Sequence, residues 1–441
     1  MLDLRCLTAP CSLLIASLVL PAALSSSPAS LDPVQEPDLP TDREIEALVE
    51  EYFGIGPRAV GEGRARQLEI LEVLELVPPL DARAEEKWRE DLLELWMEGP
   101  KLDKKGRNHL WEDTDEGLYI IGGKTRKAQG LLLGMHGGGV GEGDAGNSAG
   151  AWSGPATKLK WAAVFPEVLE KTEHGWTTSG TEEFVLELID RAVRTFEVDP
   201  NRVFLAGHSM GGYGTWTLGA HHADRVAGLA ASAGAPTPLI DPRSKEVVGI
   251  DWGVIPNLRN VPMVVYQSTD DPQVPPDSNQ AAAREVAKAR ERWGGYEEFR
   301  YWEVSGQGHD APPGGYLELL QQVEEYVRDP RPAQVVWQPV LDWKRQFYWL
   351  HWERPQVGPI VVAELDREEN EVRITTDRPV TLKDFTVFLD REMLDLSVEV
   401  KVSVNGEVVR RRKPPEPNLA TLVRTGVTGD PGRTYAVAVT W

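Results

Sequence analysis

The chemistry available to this chain sits in three residues in a fixed order, Ser209, Asp271 and His309, and in a run of glycines ahead of them. A serine hydroxyl becomes a useful nucleophile only when a base takes its proton, and that base needs a partner to hold its tautomer. Ser209 stands in Gly207-His208-Ser209-Met210-Gly211, a G-x-S-x-G pattern. With 41 glycines in the chain, the bare pattern arises by chance roughly 0.1–0.2 times. Its setting decides. Residues 202–206 read as an apolar strand, and a helix is expected from about Gly211, so Ser209 falls on a sharp strand-to-helix turn. A Cβ at position 207 or 211 is expected to clash across such a turn, and the helix start favours negative charge beside Ser209.

Of eight histidines, those before Ser209 break the order Ser, acid, His. His221 and His222 follow too closely to fold back, and His351 lies among aromatics late in the chain. His309 remains, in Gly306-Gln307-Gly308-His309 directly after an expected strand at 298–304. The acid is sought after the preceding strand, 261–267, where Asp270 and Asp271 are adjacent. Asp271 is preferred because it opens Asp271-Pro272-Gln273-Val274-Pro275, leaving Asp270 as a turn-capping or solvated neighbour. Its task would be to orient His309 and stabilise its imidazolium, not to accept the proton.

Donors for a developing oxyanion are expected from Leu132-Leu133-Gly134-Met135-His136-Gly137-Gly138-Gly139. Residues without side chains let backbone N–H groups approach a substrate. Gly138 is the first choice, Gly137 the alternate, together with the N–H of Met210. His136 reads as an orienting group. No Lys-Ser/Thr follows the glycines, which excludes a Walker A phosphate loop. Trp152 and Trp176 are candidate walls of a substrate pocket, with core packing the equal alternative. Glu142 and Asp144 match no EF-hand spacing, so neither a metal nor a cofactor is expected.

The elements that position these residues alternate. Strands are expected at 117–121, 130–135, 161–165, 202–206, 226–232, 261–267 and 298–304, and helices at 181–196, 211–220, 277–293 and 315–327. Continuously apolar strands such as Val203-Phe204-Leu205-Ala206 suit a sheet covered on both faces. The expected fold is therefore α/β, a doubly wound, mostly parallel sheet with ligands at the carboxyl ends of its strands. Residues 41–115 read as an N-terminal helical region and 116–330 as the catalytic domain. From 331 to 441 only strand patterns stand out, with Asn405-Gly406 as a hairpin signal, and an all-β, sandwich-like module without a helix is expected. Its aromatic cluster, Trp343, Phe347, Tyr348, Trp349 and Trp352, reads as a core or seam, with a carbohydrate platform as the alternative.

At 441 residues the chain is long enough for this arrangement, and 41% hydrophobic and 26% charged residues are those of a globular protein. A net charge of −22 argues against nucleic acid and anionic membranes as partners. Residues 1–25, with Arg5, an apolar run from Leu13 to Leu24 and small residues after it, read as an export signal followed by a linker at 26–40. Stable membrane insertion is not expected. Cys6 and Cys11, the two cysteines of the chain, both lie in that segment, so an exported product would carry no thiol.

With these residues in place, 117–328 resembles the esterase branch of the α/β-hydrolase superfamily. The style is that of dienelactone hydrolase-like, phospholipase/carboxylesterase-like and polyhydroxybutyrate depolymerase-like exported bacterial enzymes. His136-Gly137-Gly138-Gly139, 207–214, 271–275 and Gly308-His309 carry the resemblance. It implies hydrolysis of a small-molecule or polymer-linked ester. Dienelactone hydrolases use cysteine where this chain has Ser209, so a dienelactone substrate is not expected. Residues 388–396 and 404–406 resemble a β module that follows some exported esterases. A prolyl-oligopeptidase-like peptidase uses the same three residues but usually carries a β-propeller ahead of them. A degenerate hydrolase kept for binding is the third reading.

Overall fold

The computed structural model describes residues 39–105, 107–111, 116–138, 144–378, 382–410 and 414–441. The segment read as an export signal, and Gly139 of the glycine loop, lie outside the described residues. The first element, helix α1 (Asp42–Ile55), starts at a capping box: the Thr41 hydroxyl accepts from the Glu44 N–H, and the Glu44 carboxylate accepts from the Thr41 N–H at 2.8 Å. Helices α2 (Gly61–Leu74) and α3 (Ala82–Met97) follow.

Next come β1 (Arg107–His109), β2 (Leu118–Gly123), β3 (Leu131–Met135), α4 (Ala145–Lys158), β4 (Ala162–Pro166), α5 (Thr181–Phe196), β5 (Val203–His208), α6 (Met210–His221) and β6 (Gly228–Ser232). A hairpin of β7 (Pro238–Ile240) and β8 (Val247–Ile250) interrupts the alternation, which resumes with β9 (Met263–Ser268), α7 (Asp277–Trp293), β10 (Phe299–Val304) and α8 (Gly315–Gln321). Eight strands form one sheet in the order β1-β2-β4-β3-β5-β6-β9-β10. From β4 to β10 all neighbours are parallel, while β2 is antiparallel to both β1 and β4. This order and direction of strands is the α/β-hydrolase fold.

Period-two alternation within the strands explains the layering. Leu131, Leu133, Val203, Leu205, Met263 and Val265 enter the core on one face; Leu132, Phe204, Ala206, Val264 and Tyr266 enter the core on the other. Both faces are apolar because helices cover both.

The expected strands lie within a residue or two of those observed. Helix α4 is a correction, since its sequence AGNSAGAWSGPATK reads as a loop rich in Gly and Ser. Small residues are what this helix needs. Ser153 Oγ accepts the Gly123 N–H at 3.0 Å, and a Cβ on Gly122 would lie 2.5 Å from that oxygen, so α4 sits close on β2.

Beyond residue 330, β11 (Gln334–Trp337), β12 (Gln346–Phe347), β13 (Leu350–Trp352), β14 (Val361–Asp366), β15 (Glu371–Thr376), β16 (Phe385–Leu389), β17 (Lys401–Val404), β18 (Glu407–Arg410) and β19 (Val437–Thr440) build two sheets. Their orders are β11-β14-β15-β17-β18 and β12-β13-β16-β19, and both contribute to the large core shared with the catalytic sheet. Asn405 and Gly406, at φ 50° and 85°, make the β17–β18 turn as their dipeptide predicts. One helix departs from the all-β expectation, α9 (Leu419–Gly426), capped by Asn418. Its apolar face packs against α1–α3 in a core of its own, so its partners are distant in sequence. Phe347, Tyr348, Trp349 and Trp352 are all buried, which makes them core rather than a carbohydrate platform, while Trp343 of the same cluster is half-buried.

Candidate active site

Ser209 lies between β5 and α6 with φ 59° and ψ −121°, a backbone state that non-glycine residues rarely hold. The turn is tight enough that a Cβ on Gly207 would lie 2.3 Å from the Gly211 carbonyl oxygen, and one on Gly211 would lie 2.3 Å from that of Met135. Glycine at both positions is therefore a steric requirement of the turn. The Ser209 N–H donates to the Ser232 carbonyl at 2.8 Å and locks the turn to β6.

His309 follows β10 by five residues and reaches back over the sheet. Its Nε2 lies 2.9 Å from Ser209 Oγ and its Nδ1 lies 2.7 Å from Asp271 Oδ2. A carboxylate only accepts, so Nδ1 carries the hydrogen and Nε2 is left to accept from the serine hydroxyl. Asp271, 5% exposed, uses its other oxygen to accept the N–H groups of Gln273 at 2.8 Å and Val274 at 2.9 Å. The turn after β9 thus fixes the carboxylate before it meets the imidazole.

Asp270 does more than cap a turn. Its Oδ1 accepts from the Ser268 hydroxyl at 2.5 Å and from the N–H groups of Gly306 and Gly308 at 2.9 and 3.3 Å. Those bonds, the serine hydroxyl first, hold its pKa below the ordinary carboxylate range. They also pin the glycine loop that delivers His309. The His208 ring lies 4.9 Å from the His309 ring, tilted by 52°, and its Nδ1 lies 3.1 Å from Ser232 Oγ. Burial, and then the neighbouring His309, push its pKa down to about 4, so His208 is neutral near pH 7.

The glycine loop after β3 approaches the same place. A Cβ on Gly137 would lie 2.8 Å from the His208 carbonyl oxygen and 3.1 Å from Ser209 Cβ. His136 is buried; its Nδ1–H donates to the Gly137 carbonyl at 2.8 Å and its Nε2 accepts the Val168 N–H at 3.2 Å. Trp176 Nε1–H donates to the His136 carbonyl at 3.2 Å. Gly137, Gly138, Ser209, Met210 and His309 line one open cleft of about 850 Å³. As the first residue of α6, Met210 has an N–H without an intrahelical acceptor.

Neither candidate tryptophan lines that cleft. Trp176, 0% exposed, braces the glycine loop from behind, and Trp152, 1% exposed, stacks on Tyr316 with ring centroids 4.2 Å apart. The walls come instead from Glu173, His174 and Tyr213, from Gln273 to Pro275, and from Ile240, Lys245 and Val247 of the β7–β8 hairpin. The hairpin left a faint signal: short apolar pairs flank Asp241-Pro242-Arg243-Ser244, and Asp241 Oδ1 accepts the N–H groups of Arg243 and Ser244. Among the described residues no group of His, Cys, Asp and Glu is arranged to hold a metal ion, and no helix is long and apolar enough to cross a membrane.

No protein-family model matches the chain, and no curated protein matches it. Among solved structures it is similar to a thermostable esterase, at 21% identity over 51% of this chain and 64% of that one, TM-score 0.37. An acetyl xylan esterase from Aspergillus awamori is 11% identical over 50% of this chain and 100% of its own, TM-score 0.38. A ferulic acid esterase from Anaeromyces mucronatus is 16% identical over 52% and 93%, TM-score 0.35.

Proposed function

We propose that this chain is a serine hydrolase of carboxylic esters. The observation that carries the reading is the continuous relay from Ser209 Oγ through His309 to Asp271, at 2.9 and 2.7 Å, on a strained turn inside an open cleft. His309 Nε2 takes the hydroxyl proton as Oγ attacks the ester carbonyl. Asp271 keeps the other nitrogen protonated and stabilises the imidazolium. The N–H groups of Met210 and of Gly138 or Gly137, all lining the cleft, would receive the oxyanion. His309 then returns its proton to the leaving alcohol, and water, activated the same way, releases the acid from Ser209.

The substrate is a small-molecule or polymer-linked ester, and the open cleft supports either. Export of the protein remains part of the proposal and rests on residues 1–25 as a signal. Turnover of short-chain nitrophenyl esters, with fluorophosphonate labelling at Ser209, tests the reading. Ser209→Ala is expected to abolish labelling and lower kcat by about 10⁴–10⁶. Retained activity in that variant would sink the proposal. Cleavage of peptide anilides without ester preference would favour a peptidase, and a folded protein that does not label would favour a binding module.

A further inference from the structure

The acidic balance of this chain conceals a local reversal. Where α1, α2 and α9 meet α5 and residues 343–346, a pocket of about 100 Å³ is lined by seven cationic side chains and by no Asp or Glu. It shares no lining residue with the cleft around Ser209.

Carboxylates behind the wall hold most of these cations, but not in equal number. Asp190 accepts from Arg58 at 2.8 Å and Arg225 at 2.5 Å, with Glu187 also on Arg58. Asp224 is shared by Lys344 and Arg433, each at 2.8 Å. Glu353 is shared by Arg64 at 2.5 Å, Arg345 at 3.5 Å and His351 at 3.1 Å. Arg424 makes no hydrogen bond or ion pair among the described residues, and its Nε is buried, as is an unpartnered Nε on Arg433. Four carboxylates therefore serve six of the seven cations, and Arg424 is left with none. Arginine does not deprotonate to relieve such an imbalance, and a buried charge without a counter-charge is unfavourable. Planar guanidinium groups with unused N–H donors match an oxyanion.

We propose that this pocket binds one small tetrahedral oxyanion of the phosphate or sulfate class, held chiefly by Arg424 with Arg345 and Arg433. Its volume suits such an ion. The bound anion ties the N-terminal helices and α9 to the catalytic domain, because the lining residues come from all three.

The experiment is calorimetric titration of the full chain with sodium sulfate and with sodium phosphate at ionic strength held constant by sodium chloride. Thermal unfolding is recorded in parallel. One saturable site is expected with Kd at or below about 1 mM, with a rise in unfolding temperature beyond that given by chloride. Arg424→Gln is expected to weaken binding at least tenfold, and without sulfate to be no less stable than the parent, since it removes an unpaired buried charge. Arg345→Gln, at the half-buried rim, is expected to weaken binding as well and serves if Arg424→Gln does not fold. Absence of a saturable signal, equal affinity for acetate, or unchanged affinity in both variants would overturn the proposal.

Discussion

Asp271→Asn isolates the part of the relay that geometry makes most specific. Asp271 Oδ1 accepts two backbone N–H groups, from Gln273 and Val274, and Oδ2 faces His309 Nδ1 at 2.7 Å. An asparagine keeps the first pair by placing its carbonyl oxygen there, which turns its NH₂ toward His309. Nδ1 must then accept, so the hydrogen moves to Nε2 and points at Ser209 Oγ, 2.9 Å away. The base arrives already protonated. The expected loss in kcat is about 10³–10⁴, or about 4–5.5 kcal/mol of transition-state stabilisation. Folding is expected to stay near that of the parent because the two backbone bonds survive. The assay is nitrophenyl acetate turnover, with fluorophosphonate labelling as a second rate and denaturant midpoints as the control. Asp270→Asn provides the contrast: its carbonyl oxygen still accepts from Gly306 and Gly308, so a loss within about tenfold is expected. If Asp271→Asn stays within tenfold of the parent, or Asp270→Asn falls further, the orienting role assigned to Asp271 is refuted.

Gly137→Ala pushes a methyl to 2.8 Å from the His208 carbonyl and should displace the oxyanion donors, lowering kcat about 10²–10³-fold in a protein whose circular dichroism is unchanged. An active alanine variant would move the oxyanion site elsewhere. Ser209→Gly should be about 1 kcal/mol more stable than Ser209→Ala in urea titration, because both lack the hydroxyl but only glycine holds φ 59° without strain. Equal stabilities would mean the turn is relaxed. His208, His222 and His351 all have folded-state pKa values pushed down to about 4, first by burial. Between pH 6.5 and 4 the unfolded chain takes up protons that the folded chain refuses, so stability falls with pH by about 1.4 kcal/mol per pH unit for each group. Denaturant midpoints flat across that window would refute it.

The site was legible because its signals are local. Ser209, Asp271 and His309 each follow a short strand, and a parallel sheet delivers the carboxyl ends of such strands to one edge. Gly207 and Gly211 were legible for the same reason, since the steric demand of the turn involves neighbours a few residues apart. Helix α4 was missed because its glycines and serines lower helix propensity, while its close seat on β2, which favours them, is a tertiary fact.

What chain order settles here is the identity of the reacting groups and the alternation that places them. What it leaves open is everything made between segments far apart. Trp152 and Trp176 have the same composition of neighbours as a pocket wall, yet they face inward because α4 and the glycine loop need volume behind them. Asp270 pins a loop 36 residues later. Helix α9 is held by α1–α3, more than 300 residues earlier, and the cationic pocket exists only where these meet the catalytic domain. A local pattern records what a residue does to its neighbours in the chain. Packing and counter-charge depend on neighbours in space, which the fold alone supplies.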